Sequence, residues 1–369
     1  MIMKVAVVHD RFCNRGGGER VAIEIAKTLK ADAIYTARWE PERCFEDLEK
    51  FNVIEINRIP SLALRKCALI RMLDAWKFSE LEELADYDLV WTSGIWAVFA
   101  NKQNPMNVWY YHGTNRPIYD LHERYSSHFN HIARLGFKAW ANIWKRIEKK
   151  AVTYVREIVV NSYNVKNRVL KIYNRNSSVI YPPVDIKKFH HAESEGYWLS
   201  VQRIVPEKRV DLQIEIFRKL PNERLIIVGK SEYETWYEKK IAEMVKNTNN
   251  VEWLGSVDEK TFIDLYAHAK GIIQTSADEA FGLVPIEAFA SGKPVLAVNE
   301  GGFKETVKPF AGKLINPPYL ENFVKAIKEF DESAYDPRII QKWARSFSVE
   351  RFRKQIKEFS KKVIGSRFS

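Results

Sequence analysis

The sequence has little with which to build a disulfide or metal scaffold. It contains only three cysteines, Cys13, Cys44 and Cys67, and no CxxC pair. That count speaks against disulfides and zinc and for a reducing, cytoplasmic setting. No run approaches the roughly 18 apolar residues of a spanning helix. The most apolar stretch, Leu89 to Ala100, is broken by Thr92, Ser93 and Gly94. The opening MIMKVAVVHD turns polar too soon for a signal peptide and reads as a first strand. The G-x-G-x-x-G spacing is also missing, which counts against a dinucleotide-binding oxidoreductase. No nucleic-acid module is visible, so nucleic acid is not expected as a partner. Acid is scarce relative to base: 47 Asp and Glu against 58 Lys and Arg, a net charge of +11. A basic balance favours polyanionic partners such as phosphorylated substrates or anionic lipid.

What is present is a repeated strand, loop and helix. At 369 residues and 46% hydrophobic, the chain is long enough for two cores. Short apolar strands at Lys4–His9, Asp88–Thr92, Val108–Tyr111, Ile158–Asn161 and Ser178–Tyr181 alternate with helical patterns. This is the signature of a parallel sheet covered on both faces. Tyr181-Pro182-Pro183 interrupts the series, and a polar stretch follows. A second series then runs through Tyr197–Val201, Leu225–Val228, Val251–Leu254, Gly271–Thr275 and Pro294–Val298, with helices at Val210–Leu220 and Glu234–Lys246. A basic helix, Val349–Ile364, closes the chain. The expected division is 1–185, 186–345 and a final helix in 346–369 that packs back toward the first domain. In doubly wound domains ligands sit beyond the carboxyl ends of the strands, so the loops after strands are where the chemistry is sought.

The most informative loop follows Gly271–Thr275. Pro285 suits the first turn of a helix, and Gly292 suits its carboxyl-terminal cap. The N–H groups of Gly282, Leu283 and Val284 then open the helix without intrahelical partners, an arrangement suited to phosphate. Two carboxylates, Glu279 and Glu287, bracket that point. Either glutamate alone would be an ordinary surface acid; the segment as a whole points to a diphosphate with hydroxyls on both sides.

The run Glu279-Ala-Phe-Gly-Leu-Val-Pro-Ile-Glu287 resembles the E-x7-E motif of family 4 retaining glycosyltransferases, and other motifs match in order along the chain. The resemblance implies the α/β GT-B fold, two facing Rossmann-like doubly wound domains with the cleft between them. It implies donor sugar contact for Glu279 and ribose contact for Glu287. Ala280 stands where the family often has Gly or Ser. Val201-Gln-Arg-Ile-Val-Pro-Glu-Lys208 resembles G-R-L-x-x-x-K, with Gln202 in place of Gly, and assigns Arg203 and Lys208 to the donor diphosphate. Gly16-Gly17-Gly18, flanked by Asp10 and Glu19, resembles the loop over the donor phosphates and the acceptor. His112 falls where family members have a histidine at the donor sugar. The stretch His112, Arg116, Asp120 is similar to H-x-P-x-R-x-x-x-D of polysaccharide-pathway mannosyltransferases, with Thr114 in place of proline. Asn161-Ser162 and Tyr181-Pro-Pro-Val-Asp185 resemble hinge and wall signatures. Gly301-Gly-Phe-Lys-Glu305 resembles a G-G-x-x-E turn beside the donor. The implied reaction transfers a sugar, with mannose from GDP-mannose as first choice and UDP-sugars next. The acceptor is a glycan or lipid-linked hydroxyl, anomeric configuration is retained, and neither metal nor cofactor is expected.

Two basic stretches stand apart. Arg124 to Lys150 carries Arg124, Arg134, Lys138, Lys145, Arg146, Lys149 and Lys150 among Tyr125, Phe129, Phe137, Trp140 and Trp144, with Glu148 its only acid. Ser61 to Phe78 is similar, with Arg65, Lys66, Arg71 and Lys77. Such segments suit an anionic membrane surface and a peripheral location, although the same aromatics can equally face a core. Competing readings are a sugar-nucleotide-binding protein without turnover, a nucleotide-sugar epimerase, a phosphorylase and a general polyanion binder. The last leaves the Glu279 segment unexplained.

Overall fold

The computed structural model describes residues 3–57, 68–127, 129–231 and 236–365. Cys67, residues 61–66 of the second basic stretch and the Glu234 helix start lie outside them. The chain divides into two compact units, one made of Met1–Pro183 with Glu350–Ser369 and the other of Val184–Val349.

Among the described residues the first unit is built on seven parallel strands: β1 Val5–His9, β2 Ala33–Thr36, β3 Val53–Glu55, β4 Leu89–Ser93, β5 Asn107–Tyr111, β6 Glu157–Val160 and β7 Ser178–Val179. Their spatial order is β3-β2-β1-β4-β5-β6-β7, so the winding reverses between β1 and β4. Residues of β1 alternate between two cores, as a pleated strand requires. Val5 and Val7 join Trp91, Val108 and Tyr110 on one face. Ala6 and Val8 join Val90, Trp96 and Trp144 on the other. The helices are α1 Gly17–Leu29, α2 Ala68–Ser79, α3 His122–Ser126, α4 His131–Val152 and α5 Tyr163–Tyr173. The closing helix, Val349–Gly365, lays Phe352, Ile356 and Val363 into the first core. Arg353 pairs with Glu24 of α1 at 2.7 Å, and the Trp91 indole N–H donates to Ser360 Oγ at 3.2 Å.

Among its described residues the second unit has six parallel strands: β8 Tyr197–Val201, β9 Arg224–Val228, β10 Val251–Gly255, β11 Gly271–Gln274, β12 Val295–Val298 and β13 Gly312–Ile315. Their order is β10-β9-β8-β11-β12-β13, with the reversal between β8 and β11. Its helices are α6 Val210–Arg218, α7 Trp236–Lys246, α8 Glu259–His268, α9 Leu283–Ala290, α10 Phe303–Thr306, α11 Leu320–Lys328 and α12 Pro337–Ala344. Gly292, at φ +68°, closes α9 with its N–H on Phe289 O at 2.9 Å. Among the described residues no helix is long and apolar enough to cross a membrane.

The basic helix α4 is turned differently from the interfacial reading of its tryptophans. Trp144 is buried against Trp96, with ring centroids 4.5 Å apart, and Phe137 and Trp140 stack half-buried beside it. The outward face instead carries Ile132 (82% exposed), Leu135, Ile143 and Ile147 among the basic residues. The inner face also buries Glu148, which accepts a hydrogen bond from the Tyr119 hydroxyl at 2.5 Å. Burial pushes the Glu148 pKa from 4.5 up to about 7, against the lowering effect of the tyrosine hydrogen bonds. The folded state therefore holds the Glu148 carboxyl proton more tightly than the unfolded chain does. The contribution is complete below 4.5 and is lost as pH rises through 7. A shift of that size amounts to roughly 3 kcal/mol. Glu148→Gln should therefore flatten the decline in thermal stability between about pH 5 and about pH 8. Melting curves of both proteins across that range check this, and parallel slopes would contradict it.

Candidate functional site

In the second unit the two connections at the winding reversal are stitched together. Thr275, just past β11, donates its hydroxyl to Lys208 O at 2.8 Å, and Ala277 N–H donates to Glu207 O at 2.8 Å. Gln213 of α6 donates to Thr275 Oγ1 at 2.9 Å. This places the Lys208 ammonium on the Glu279 carboxylate as an ion pair, with both side chains partly accessible. Arg203, on the same loop, is exposed. Arg209 has φ +51° and pairs with Glu300 at 3.0 Å, and Glu300 accepts the Asp278 N–H at 3.1 Å. Arg209 and Glu300 thus hold the strand-to-helix loop from behind. The sequence offered no sign of either beyond their charge.

Gly282 precedes α9 at φ +86°, and Leu283 and Val284 open the helix with Pro285 in its first turn. Glu287 is buried, and the Tyr266 hydroxyl of α8 donates to its Oε2 at 2.9 Å. Tyr266 was not foreseeable, because it sits at a core position of its own helix. The Gly301-Gly302 turn supports the loop from below. Gly302 N–H donates to Glu279 O at 2.8 Å. A Cβ on Gly301 (φ +55°) would lie 2.3 Å from Glu279 O, and one on Gly302 would lie 2.5 Å from Phe281 Cα. Glu305 follows in α10, half-buried.

In the first unit the reversal falls between His9 and Ser93, which are register partners at the ends of β1 and β4. Ser93 in turn pairs with Tyr110, so strand alternation sends His112 to the same face. Ser93 Oγ lies 2.8 Å from His112 Nε2 and 3.2 Å from His9 Nδ1. Burial lowers the His112 pKa to about 4. Burial, then the neighbouring His112, lowers that of His9 to about 3. Both rings are neutral near pH 7 and act through hydrogen bonds rather than charge. A Cβ on Gly18 would sit 3.7 Å from His112 Nε2, so the Gly16–Gly18 loop and His112 do meet. Gly16 caps α1, and Glu19 folds back over it. Asp10 braces the scaffold, accepting the N–H groups of Ile95, Trp96 and Ala97 at 2.7–2.8 Å against Gly94. Arg116 and Thr114 both donate to Asp120, at 2.9 and 3.3 Å. Asn161 donates to His112 O at 2.8 Å, and Ser162 caps α5.

Among the described residues no group of three or more His, Cys, Asp or Glu is placed to hold a metal ion. The chain does contain one Asp-x-Asp triplet, Asp86-Tyr87-Asp88. It precedes β4, at the amino end, where Asp88 accepts the Lys4 N–H at 2.8 Å.

Each sheet thus carries a polar cluster beyond its strands' carboxyl ends at its own reversal of winding, and the two-unit architecture is that of the GT-B glycosyltransferases. The chain belongs to this glycosyltransferase family: residues 15–188 match "Glycosyltransferase Family 4" and residues 183–346 match "Glycosyl transferases group 1". It is 28% identical over 190 residues to the O-antigen chain mannosyltransferase RfbU of Salmonella typhimurium, covering 50% of this chain and 53% of that protein. It is 30% identical over 213 residues to the alpha-1,3/1,6-mannosyltransferase ALG2 of Saccharomyces cerevisiae, covering 44% and 42%. The chain spans about half the length of these two curated relatives. With ALG2 of Mus musculus the identity is 23%, over 95% of this chain and 94% of that one. The fold is shared with Anabaena Alr3699/HepE, solved with UDP and glucose (21% identity, TM-score 0.73, covering 97% and 99%). It is also shared with the sucrose-phosphate synthase of Thermosynechococcus elongatus (17%, TM-score 0.78, 98% and 100%).

The glycine turn generates a direct test. Gly301→Ala adds a methyl group inside backbone, beyond the roughly 1–2 kcal/mol of left-handed strain. Gly196→Ala at φ +78° meets open space and isolates that strain. Gly301→Ala should therefore cost about 1–3 kcal/mol more stability than Gly196→Ala, read from chemical-denaturation midpoints; equal losses would show that a methyl group at Gly301 does not press on the Glu279 backbone.

Proposed function

We propose that the protein is a hexosyltransferase that moves a sugar from a nucleoside diphosphate to a hydroxyl of a glycan or lipid-linked acceptor, retaining anomeric configuration. The observation that carries this reading is the Lys208–Glu279 pair beside the start of α9. It sets a cation for the departing diphosphate next to a carboxylate for sugar hydroxyls. Lys208, Arg203 and the N–H groups of Gly282, Leu283 and Val284 stabilise the leaving phosphates without a metal. Glu287, steadied by Tyr266, takes the ribose hydroxyls. The Gly16–Gly18 loop contributes backbone to the donor phosphates, and neutral His112 serves the reacting sugar. No carboxylate is assigned as nucleophile, so attack comes from the face the leaving phosphate vacates; a trapped covalent sugar adduct would refute this.

Mannose from GDP-mannose is the preferred donor, because the relatives are named mannosyltransferases, one of them with GDP-Man as donor. A UDP-sugar is the second reading, favoured by the UDP and UDP-glucose complexes of HepE. A ligand that binds only the folded state raises its melting temperature. GDP and GDP-mannose should therefore give the larger shifts; equal or larger UDP shifts would reverse the donor order. Glu279→Gln should abolish transfer yet bind the bare nucleoside diphosphate about threefold or more tighter, since Lys208 loses its competing anion. Unchanged affinity together with intact transfer would contradict both roles.

The outward apolar and basic face of α4 supports attachment to an anionic membrane surface. Ile143→Glu should weaken co-sedimentation with phosphatidylglycerol-containing vesicles by roughly tenfold. Binding equal to wild type would dismiss this face as the contact.

A further inference from the structure

Ser93 sits between two histidine rings, and the protons it shares with them can be counted. Its hydroxyl oxygen belongs to a fully buried residue and lies 2.8 Å from His112 Nε2 and 3.2 Å from His9 Nδ1. Among the described residues that oxygen has no other hydrogen-bond partner. A hydroxyl gives one proton and accepts on its lone pairs, and a neutral imidazole presents one N–H and one bare nitrogen. Were both rings to turn an N–H to Ser93, the hydroxyl proton would have no acceptor. Were both to turn a bare nitrogen, one nitrogen would have no donor. Either arrangement leaves an enclosed polar group unpaired. The protons therefore run in single file. In one direction His112 Nε2–H donates to Ser93 Oγ and Ser93 donates to His9 Nδ1, so both rings carry their proton on Nε2. In the other His9 Nδ1–H donates to Ser93 Oγ and Ser93 donates to His112 Nε2, so both carry it on Nδ1. A change of tautomer in His9 thus imposes the same change on His112.

The two rings are held in place for this. Phe12 packs on His9 and Tyr110 on His112, with ring centroids 4.6 and 5.0 Å apart. Asn161 fixes the His112 carbonyl. The Gly18 backbone covers both rings: a Cβ there would meet His112 Nε2 at 3.7 Å and His9 Cε1 at 3.8 Å. With Nε2 engaged, Nδ1 is the nitrogen of His112 left for a ligand. It makes no hydrogen bond among the described residues, and His112 is only partly buried. The hydrogen bond made by one ring nitrogen fixes the protonation of the other. We infer that His9 and Ser93 are positioning residues that set the tautomer of His112, and so decide whether its Nδ1 donates to or accepts from a hydroxyl of the donor sugar. A ring free to adopt either form would spend part of its time in the wrong one. The inference rests on the transferase reading and names how its sugar contact is kept in one form.

The test reads tautomers by NMR in the full chain with isotopically labelled histidine rings, without ligand and at neutral pH. His9 and His112 are assigned by the signals lost in His9→Asn and His112→Gln. Each ring should show a single tautomer, and the two should carry the proton on the same nitrogen. Ser93→Ala removes the link between them. His9→Asn supplies an amide that can offer Ser93 either an oxygen or an N–H. In both variants His112 should become a mixture, with the minor tautomer above roughly a tenth. Calorimetry then measures the affinity gained from the sugar, GDP-mannose over GDP and UDP-glucose over UDP. That gain should fall about threefold or more in both variants. Affinity for the bare nucleotide should stay as in wild type, which shows that the fold is intact. Rings that carry their protons on different nitrogens overturn the proposal. So does a His112 tautomer unmoved in both variants, or an undiminished gain from the sugar. Wild-type protein with coupled tautomers that binds neither nucleotide would defeat the transferase reading and leave the coupling standing.

Discussion

In a parallel sheet every strand delivers its following loop to the same edge, and where the winding reverses the two loops on either side part company. That constraint acts twice in this chain, at β1/β4 and at β8/β11. At the first it joins His9, Ser93 and His112; at the second it joins Lys208 and Glu279. Neither cluster is local in sequence. Their members are brought together by strand register, and the buried apolar faces of β1, β4, β8 and β11 enforce that register because a slip by one residue would turn every side chain over.

The scaffold spends its own polar groups to keep those loops still. Asp10 gathers three N–H groups from the chain after β4, Thr275 pins the Lys208 turn, and Glu300 bridges Arg209 to Asp278. The two glycines under Glu279 leave no room for a side chain. Such loops are held by many short constraints rather than by one strong contact, as positioning within a fraction of an ångström demands.

The alternating pattern, the Pro285 and Gly292 punctuation and the order of the loops were legible in the sequence because each has a local physical cause. β3 and β13 escaped because, as sheet edges, they are not buried throughout and lack a continuous apolar run, and β2 because Ala33-Ile-Tyr-Thr36 holds a single large aliphatic residue. Arg209, Glu300, Tyr266, His9 and Ser93 escaped because their significance lies in partners distant along the chain. The α4 tryptophans were legible as amphipathic but not as to which side faced inward. Composition cannot separate a core-facing Trp from an interfacial one; only the packing of Trp144 on Trp96 does. Asp86-Tyr87-Asp88 shows the converse, a triplet with the letters of a metal site but placed at the wrong end of its strand.

In the proposed transfer reaction, the Lys208–Glu279 pair has a consequence for how a cycle ends. Without ligand the two charges satisfy one another, so a donor enters by exchange: its diphosphate takes the lysine and its sugar takes the glutamate. Once the sugar has moved on, Glu279 returns to Lys208 in competition with the spent nucleotide. On that reading the pair is also a means of expelling product, a counter-ion that is quiet while the sugar is present and active when it has gone.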